Sequence, residues 1–125
     1  MAEKTVAEKA RVKPGTTIAL VHGVDEIVAS LGLPTDVRFA GPAEADLIFL
    51  FVLERAGLDR DMRMAIEALR PDAALWVFFR KGSKAAGLDM NRDDVWAIAE
   101  SLNMRPLGLL GVDDTWSVFR LRRGR

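Results

Sequence analysis

The chain has 125 residues, half of them hydrophobic, and its 18 basic and 18 acidic side chains leave no net charge. A chain of this size buries a sizeable core as one domain without a disulfide or metal to hold it together. With no cysteine and one histidine, thiol chemistry, an iron–sulfur cluster and a multi-histidine metal site are excluded. A zero net charge argues against a dedicated nucleic-acid binder, which usually carries a basic excess.

The first thirteen residues mix acidic, basic and small apolar side chains. They contain no apolar stretch of signal-peptide or membrane-span length, and neither does any later segment, which predicts a cytoplasmic protein without a membrane partner. Pro14-Gly15 ends this stretch. We therefore predict a flexible or marginally helical arm over residues 1–13 and a single domain over residues 14–125.

Strand-like and helix-like segments alternate after Thr16. The apolar run 18–21 predicts a strand buried on both faces, and residues 37–40 predict a short edge strand that ends at Gly41-Pro42. The apolar run 47–53 has the strongest strand signal and should lie at the centre of the sheet. Helices are predicted between the strands, where apolar residues recur at helical spacing, as at Leu58, Met62, Ala65, Ile66 and Leu69.

The second half continues the alternation. Residues 74–79 predict a buried strand, and a polar loop over residues 80–88 follows it. Asn91 should cap a helix, since acidic residues stand in the turn after it. Residues 105–112 and 115–121 predict an antiparallel hairpin. The fold class predicted is α/β, with a three-layer, mostly parallel sheet, helices on both faces and a C-terminal β-hairpin.

Two segments resemble the second half of S-adenosylmethionine-dependent methyltransferases. These are Ala45-Asp46-Leu47-Ile48, which enters the central strand, and Leu69-Arg70-Pro71-Asp72-Ala73-Ala74-Leu75, which enters the next one. In those enzymes the second segment commonly reads leucine, lysine or arginine, proline, glycine, glycine, and the fold ends in a β-hairpin. The resemblance covers about residues 46–122 and implies a reduced methyltransferase-like Rossmann fold.

Four motifs along nearly the whole chain also resemble those of a small bacterial family of unknown function. They are Lys13-Pro14-Gly15, Arg80-Lys81-Gly82-Ser83-Lys84, Asp89-Met90-Asn91-Arg92-Asp93 and Val112-Asp113-Asp114-Thr115-Trp116-Ser117. Because that family has no assigned activity, this second resemblance implies a fold and leaves the function open.

The chain departs from the methyltransferase pattern where the cofactor would bind. Those enzymes place two or more glycines in the turn after the first strand, whereas this turn reads His22-Gly23-Val24-Asp25-Glu26. They also carry a carboxylate at the end of the second strand for the ribose hydroxyls, whereas Ala40-Gly41-Pro42 follows Phe39 here. The cofactor half is therefore predicted to be shortened, and no cofactor is expected.

Candidate ligand-binding residues follow the predicted parallel strands, because open α/β sheets bind ligands at the carboxyl ends of their strands. They are His22, Gly23, Asp25 and Glu54. Asp25 or Glu26 could orient the His22 ring, or His22 could be a hydrogen-bonded turn residue with Asp25 as the cap of the next helix. No catalytic residue is assigned, since no nucleophile stands near His22 in the sequence.

The loop after residue 79 offers a second candidate site. Its basic and hydroxyl side chains are Arg80, Lys81, Ser83 and Lys84. They could together bind an anion, or they could simply form a solvated loop. No P-loop motif is present, so nucleotide binding of that type is excluded.

The predicted hairpin turn carries three interface candidates, Asp113, Asp114 and Trp116. Two adjacent aspartates commonly form a turn, and a strand tryptophan commonly packs in a core. Trp116 shares its strand face with Val118 and Arg120, so it could instead face a cleft or a partner chain.

These observations favour a non-catalytic domain that binds a small anion or a protein partner on a degenerate methyltransferase-like scaffold. One alternative is a methyltransferase with an atypical cofactor loop, which would bind S-adenosylmethionine. Another is a structural homodimer formed through the terminal hairpin, which solution mass would reveal.

Overall fold

A computed structural model describes residues 4–80 and 91–124, and over these ranges the chain forms a six-stranded sheet between two layers of helices. The strands are β1 (Thr17–Val21), β2 (Arg38–Phe39), β3 (Leu47–Phe51), β4 (Ala74–Arg80), β5 (Met104–Gly111) and β6 (Trp116–Arg123). The helices are α1 (Val6–Lys9), α2 (Asp25–Ser30), α3 (Arg55–Ala68) and α4 (Arg92–Ser101), with a 3-10 turn over Pro42–Glu44.

The sheet order is β2-β1-β3-β4-β6-β5. Strands β1 to β4 are mutually parallel, β6 runs antiparallel to β4, and β5 runs antiparallel to β6. The predicted α/β class, with a mostly parallel sheet and a C-terminal hairpin, is confirmed. Across the two described ranges, none of the helices combines the length and the apolar character that a bilayer span requires.

The two faces of the sheet have different covers. Helices α3 and α4 pack on one face through Leu58, Met62, Val95 and Ile98. The other face, under α1 and α2, carries an aromatic layer in which Phe49 stacks on Trp76, Phe51 stacks on Phe78, and Trp116 meets Phe51 edge-on. Side chains alternate between these faces along each strand, which is why one apolar run supplies both cores.

Strand β2 is short and lies beside the amino half of β1, with Thr17 opposite Arg38 and Ile18 opposite Phe39. It therefore ends three residues before β1 does, about 10 Å short of the carboxyl edge of the sheet. The chain then crosses through the 3-10 turn to β3, where the Asp46 N–H donates to the Thr17 carbonyl at 2.8 Å. This crossover is short because β2 stops near the edge at which β3 begins.

The N-terminal segment, expected to be flexible or marginally helical, contains a short helix that packs on the domain. Thr5 and Glu8 form a capping box at the start of α1, and Val6 and Ala7 are 4% and 3% exposed. The Ala7 N–H donates to the Leu31 carbonyl at 3.0 Å, which ties the segment to the end of α2. Val6 belongs to the buried cluster on the aromatic face of the sheet, and Ala10 and Val12 pack against that cluster.

Two predicted strands are less buried at their carboxyl ends than expected. Leu20 in β1 is 38% exposed, although both faces of this strand were predicted to be buried. The apolar run 47–53 leaves the sheet after Phe51, and Leu53 is 51% exposed. Both differences arise at the same edge, where the sheet opens into a crevice.

Candidate ligand-binding crevice

The strand order reverses between β1 and β3, because the chain leaves β1 for β2 on one side and then returns to form β3 on the other. In open α/β sheets, ligands bind outside the carboxyl ends of the strands at such a switch point. A cavity of about 390 Å³ lies there, lined by the turn after β1, the end of β3 and the first turns of α3. This size falls within the range of small-molecule sites.

Three polar side chains meet inside this crevice. The His22 Nε2 lies 3.5 Å from the Asp61 Oδ2, and the Arg60 Nε donates to the Asp61 Oδ1 at 3.2 Å. The Asp61 side chain is only 11% exposed, whereas that of His22 is 59% exposed. Asp61 is therefore held between two nitrogen-bearing side chains, and the outer parts of His22 and Arg60 stay open to solvent.

The local backbone explains this arrangement. His22 has a φ of 57°, the left-handed region that few residues other than glycine adopt, and this turn brings its ring towards α3. On α3, Gly57, Arg60 and Asp61 share one helix face at spacings of three and four residues. A Cβ on Gly57 would lie 3.4 Å from side-chain atoms of both Arg60 and Asp61, which is ordinary van der Waals contact and shows how closely the three residues are grouped.

The N-terminus of α3 also faces the crevice. Its N-cap residue Glu54 makes no side-chain capping hydrogen bond, and the first turn of this 14-residue helix holds no acidic residue. The positive end of the helix dipole and the first backbone N–H groups of α3 therefore lack an anionic side-chain cap. Anions bind readily at such helix ends.

The structure brings three predicted site residues to this edge, namely His22, Gly23 and Glu54. Asp25 instead lies exposed in the first turn of α2, whose N-cap is Val24, which corrects the expectation of Asp25 as the cap. The carboxylate that meets His22 comes from Asp61 rather than from Asp25 or Glu26. The turn after β1 points its histidine across the crevice, towards α3.

The predicted anion cradle after β4 falls largely outside the described residues, since Lys81, Ser83 and Lys84 lie there. Arg80 is described. It is exposed at the end of β4, with its guanidinium 5.9 Å from the centre of the Trp116 ring. The role of Arg80 in anion binding stays a prediction.

At the hairpin turn, Asp113 acts as a turn residue. Its Oδ1 accepts hydrogen bonds from the N–H groups of Thr115 and Trp116, both at 2.7 Å, whereas Asp114 is exposed. Trp116 is 7% exposed and lies 6.0 Å from Phe51 between ring centres, which is core packing. The aromatic layer covers this strand face, so Trp116 does not open to a cleft, and an interface role for the hairpin stays a prediction.

Two crevice residues, Arg60 and Asp61, were not predicted as site residues. The available signal was Gly57 followed at helical spacing by Arg60 and Asp61, directly after a buried strand. That pattern shows a shared helix face and does not show which side of the sheet it meets.

Comparison with known proteins gives a likeness of fold. No family model and no curated protein sequence matches the chain. Among solved structures, a putative type 11 methyltransferase from Sulfolobus solfataricus superposes with a TM-score of 0.62 at 11% identity, covering 96% of this chain and 90% of that one. A tRNA methyltransferase from B. subtilis gives 0.57 at 12% identity, over 99% and 67% of the two chains.

A protein of the NADB-Rossmann superfamily from Streptococcus agalactiae gives a TM-score of 0.56 at 11% identity, covering all of this chain and 70% of that one. The chain spans about half the length of an O-methyltransferase from neocarzinostatin biosynthesis, solved in complex with S-adenosylmethionine. At these identities the comparisons show the fold alone. The chain thus has a methyltransferase-like Rossmann fold.

Proposed function

We propose that this protein is a non-catalytic binding domain that takes a small anionic ligand in the crevice between β1, β3 and α3. The observation that carries the proposal is the crevice itself, a cavity at the switch point into which the N-terminus of α3 and the side chain of Arg60 project. Both features favour negative charge in a ligand. The Asp61 carboxylate next to them is already engaged by His22 and Arg60.

The geometry of β2 supports a ligand other than S-adenosylmethionine. The resemblance implies a carboxylate at the end of the second strand, where it would hold the ribose hydroxyls. Here β2 ends at Phe39 beside Ile18, about 10 Å before the crevice edge, so no residue at its end reaches the cavity. The left-handed position in the turn after β1 carries His22 in place of a glycine. The residues present do not fit this cofactor.

The described lining of the crevice also supports binding rather than covalent catalysis. It contains His22 paired with a carboxylate, and it includes no serine, cysteine or lysine that such a pair could activate. The exposed Glu54 carboxylate stands at the rim, where it could accept a hydrogen bond from a ligand hydroxyl or amine.

The test is a titration of the ¹⁵N-labelled protein with inorganic phosphate, against chloride at matched ionic strength. We expect the largest amide shifts at residues 22–23 and 55–57. Arg60→Gln should weaken phosphate binding about tenfold, because the variant loses one charge-assisted hydrogen bond to the phosphate. Arg63→Gln is the matched control, because Arg63 lies on the same helix and pairs with Asp59 at 3.1 Å outside the cavity. Shifts spread evenly over the surface, or an equal loss in both variants, would refute the anion site.

The methyltransferase alternative has its own test. Calorimetric titration with S-adenosylmethionine should show no binding tighter than about 100 µM, which corresponds to about 5.5 kcal/mol. Tighter binding would overturn the non-catalytic proposal and favour an enzyme with an atypical cofactor loop.

A further inference from the structure

A second cavity lies at the opposite end of the strands from the crevice. It has a volume of about 550 Å³ and is bounded by residues 10–16, by the amino ends of β3 and β4, and by Leu107 and Arg120 of the hairpin. Val12, Leu47 and Leu107 give it an apolar lining that is partly open to solvent. Its size is that of a small-molecule site.

Arg120 projects from β6 into this cavity. Its guanidinium carbon lies 6.0 Å from the centre of the Trp76 ring, and its Nε is buried without a hydrogen-bond partner. Among the ion pairs of the described ranges, none includes Arg120. A half-buried guanidinium without a counter-charge is costly, and an anion in the cavity would lower that cost.

The hairpin is shaped to admit this side chain. The register of β5 and β6 shifts between Pro106 and Gly108, and Gly108 has a φ of 152°. A Cβ at Gly108 would lie only 2.9 Å from the Arg120 Nη2. Bulges of this kind often re-aim side chains near binding sites. The bulge and the missing side chain together let the guanidinium lie between β5 and Trp76.

The other charges around the cavity leave it cationic. Arg70 pairs with both Asp46 and Asp72, and the Thr17 N–H donates to the Asp46 Oδ2 at 2.9 Å. Arg11 and Lys13 stand exposed on the lining segment. Asp46 is thus engaged by both groups, whereas Asp72 is exposed and its Oδ1 lies 3.9 Å from the Arg70 Nε. Arg120 adds a positive charge that no described carboxylate pairs.

We propose that this cavity is a second binding site, which takes an organic carboxylate with an apolar body. The carboxylate pairs with the Arg120 guanidinium, and the apolar body packs on Val12, Leu47 and Leu107. The site is separate from the crevice because the two cavities lie at opposite ends of β1 and β3 and share no lining residue.

The probe is 2-naphthoate, with 2-naphthamide as a neutral molecule of nearly the same shape. In titrations of ¹⁵N-labelled protein, 2-naphthoate should shift the Trp76 indole N–H and the amides of residues 12–16, with a dissociation constant below about 1 mM. The amide should bind about tenfold more weakly, because it cannot form a charge-assisted pair with Arg120.

A pair of hairpin variants tests the location without altering Arg120. Leu107→Glu places a negative charge at the cavity, whereas Leu109→Glu places it on the other face of β5, beside Phe119. The two side chains are similarly exposed, at 43% and 40%. Leu107→Glu should weaken 2-naphthoate binding about tenfold, and Leu109→Glu should leave it unchanged.

Equal binding of the acid and the amide, or an equal effect of the two variants, would overturn the proposal. So would shifts confined to residues 22–23 and 55–57, which would place the anion in the crevice. Arg60→Gln separates the two sites, since it should weaken phosphate binding in the crevice and leave 2-naphthoate binding unaffected.

Discussion

Replacing Trp116 with alanine measures how much the aromatic layer contributes to the stability of the hairpin. Trp116 is 7% exposed and meets Phe51 edge-on at 6.0 Å between ring centres. Truncating a buried tryptophan costs about 3–5 kcal/mol through lost burial and the cavity left behind. Since a domain of this kind has about 5–15 kcal/mol of stability, the variant should lose a large share of it.

The loss should be measured by urea unfolding, with the denaturant slope as the check that the native and unfolded states keep their compactness. The unfolding entropy expected for 125 residues converts the loss into a fall in melting temperature of about 11–19 °C. Trp96→Ala is the matched control, because Trp96 is only partly buried where it stacks on Phe119, and it should lose less. An unchanged slope with a loss under about 1 kcal/mol for Trp116→Ala would refute the core interpretation and favour an interface role.

Three further predictions concern the chain ends and the sheet edge. The Arg123 guanidinium donates to two carbonyls at the end of α3, at 2.5 and 2.6 Å. Arg123→Gln should therefore lower the free energy of unfolding in urea by about 1–3 kcal/mol. A decrease no larger than that of the control variant Arg122→Gln would contradict this capping role. The hydrogen bond from the backbone N–H of Thr5 lowers the pKa of the Glu8 carboxyl below its ordinary value of 4.5. The ionised Glu8 therefore stabilises α1 fully at a pH above 4.5, and this stabilisation is lost as the pH falls through the lowered pKa. The melting-temperature gap between wild type and Glu8→Ala should narrow over that range, and a constant gap would argue against the capping contribution. The homodimer hypothesis places the contact between the two copies at the exposed edge strand β5, and it predicts a mass of twice 13.8 kDa by light scattering. Leu109→Lys, at an exposed residue of β5, should reduce this mass to that of the monomer. A monomer mass for the wild-type protein at high concentration would refute the hypothesis.

The elements that the sequence predicted well are those determined by neighbouring residues. The apolar run 47–53 marked the central strand, and Asn91 marked the start of α4, where its Oδ1 accepts from two backbone N–H groups. The aspartate pair marked the hairpin turn, where Asp113 accepts from Thr115 and Trp116. Caps, turns and strand alternation involve groups only a few residues apart, so their pattern can be read without the fold.

The sites depended on contacts between distant parts of the chain. His22 was a candidate from its place after a strand, but its partner Asp61 follows only from the way α3 packs behind β3. The extent of β2 depended on its register against β1, and the cavity around Arg120 depended on a bulge in the neighbouring strand. Sheet register and the docking of helices are set by the burial of whole faces rather than by local propensity. The sequence therefore determined which groups were available, and the tertiary structure alone decided which of them meet.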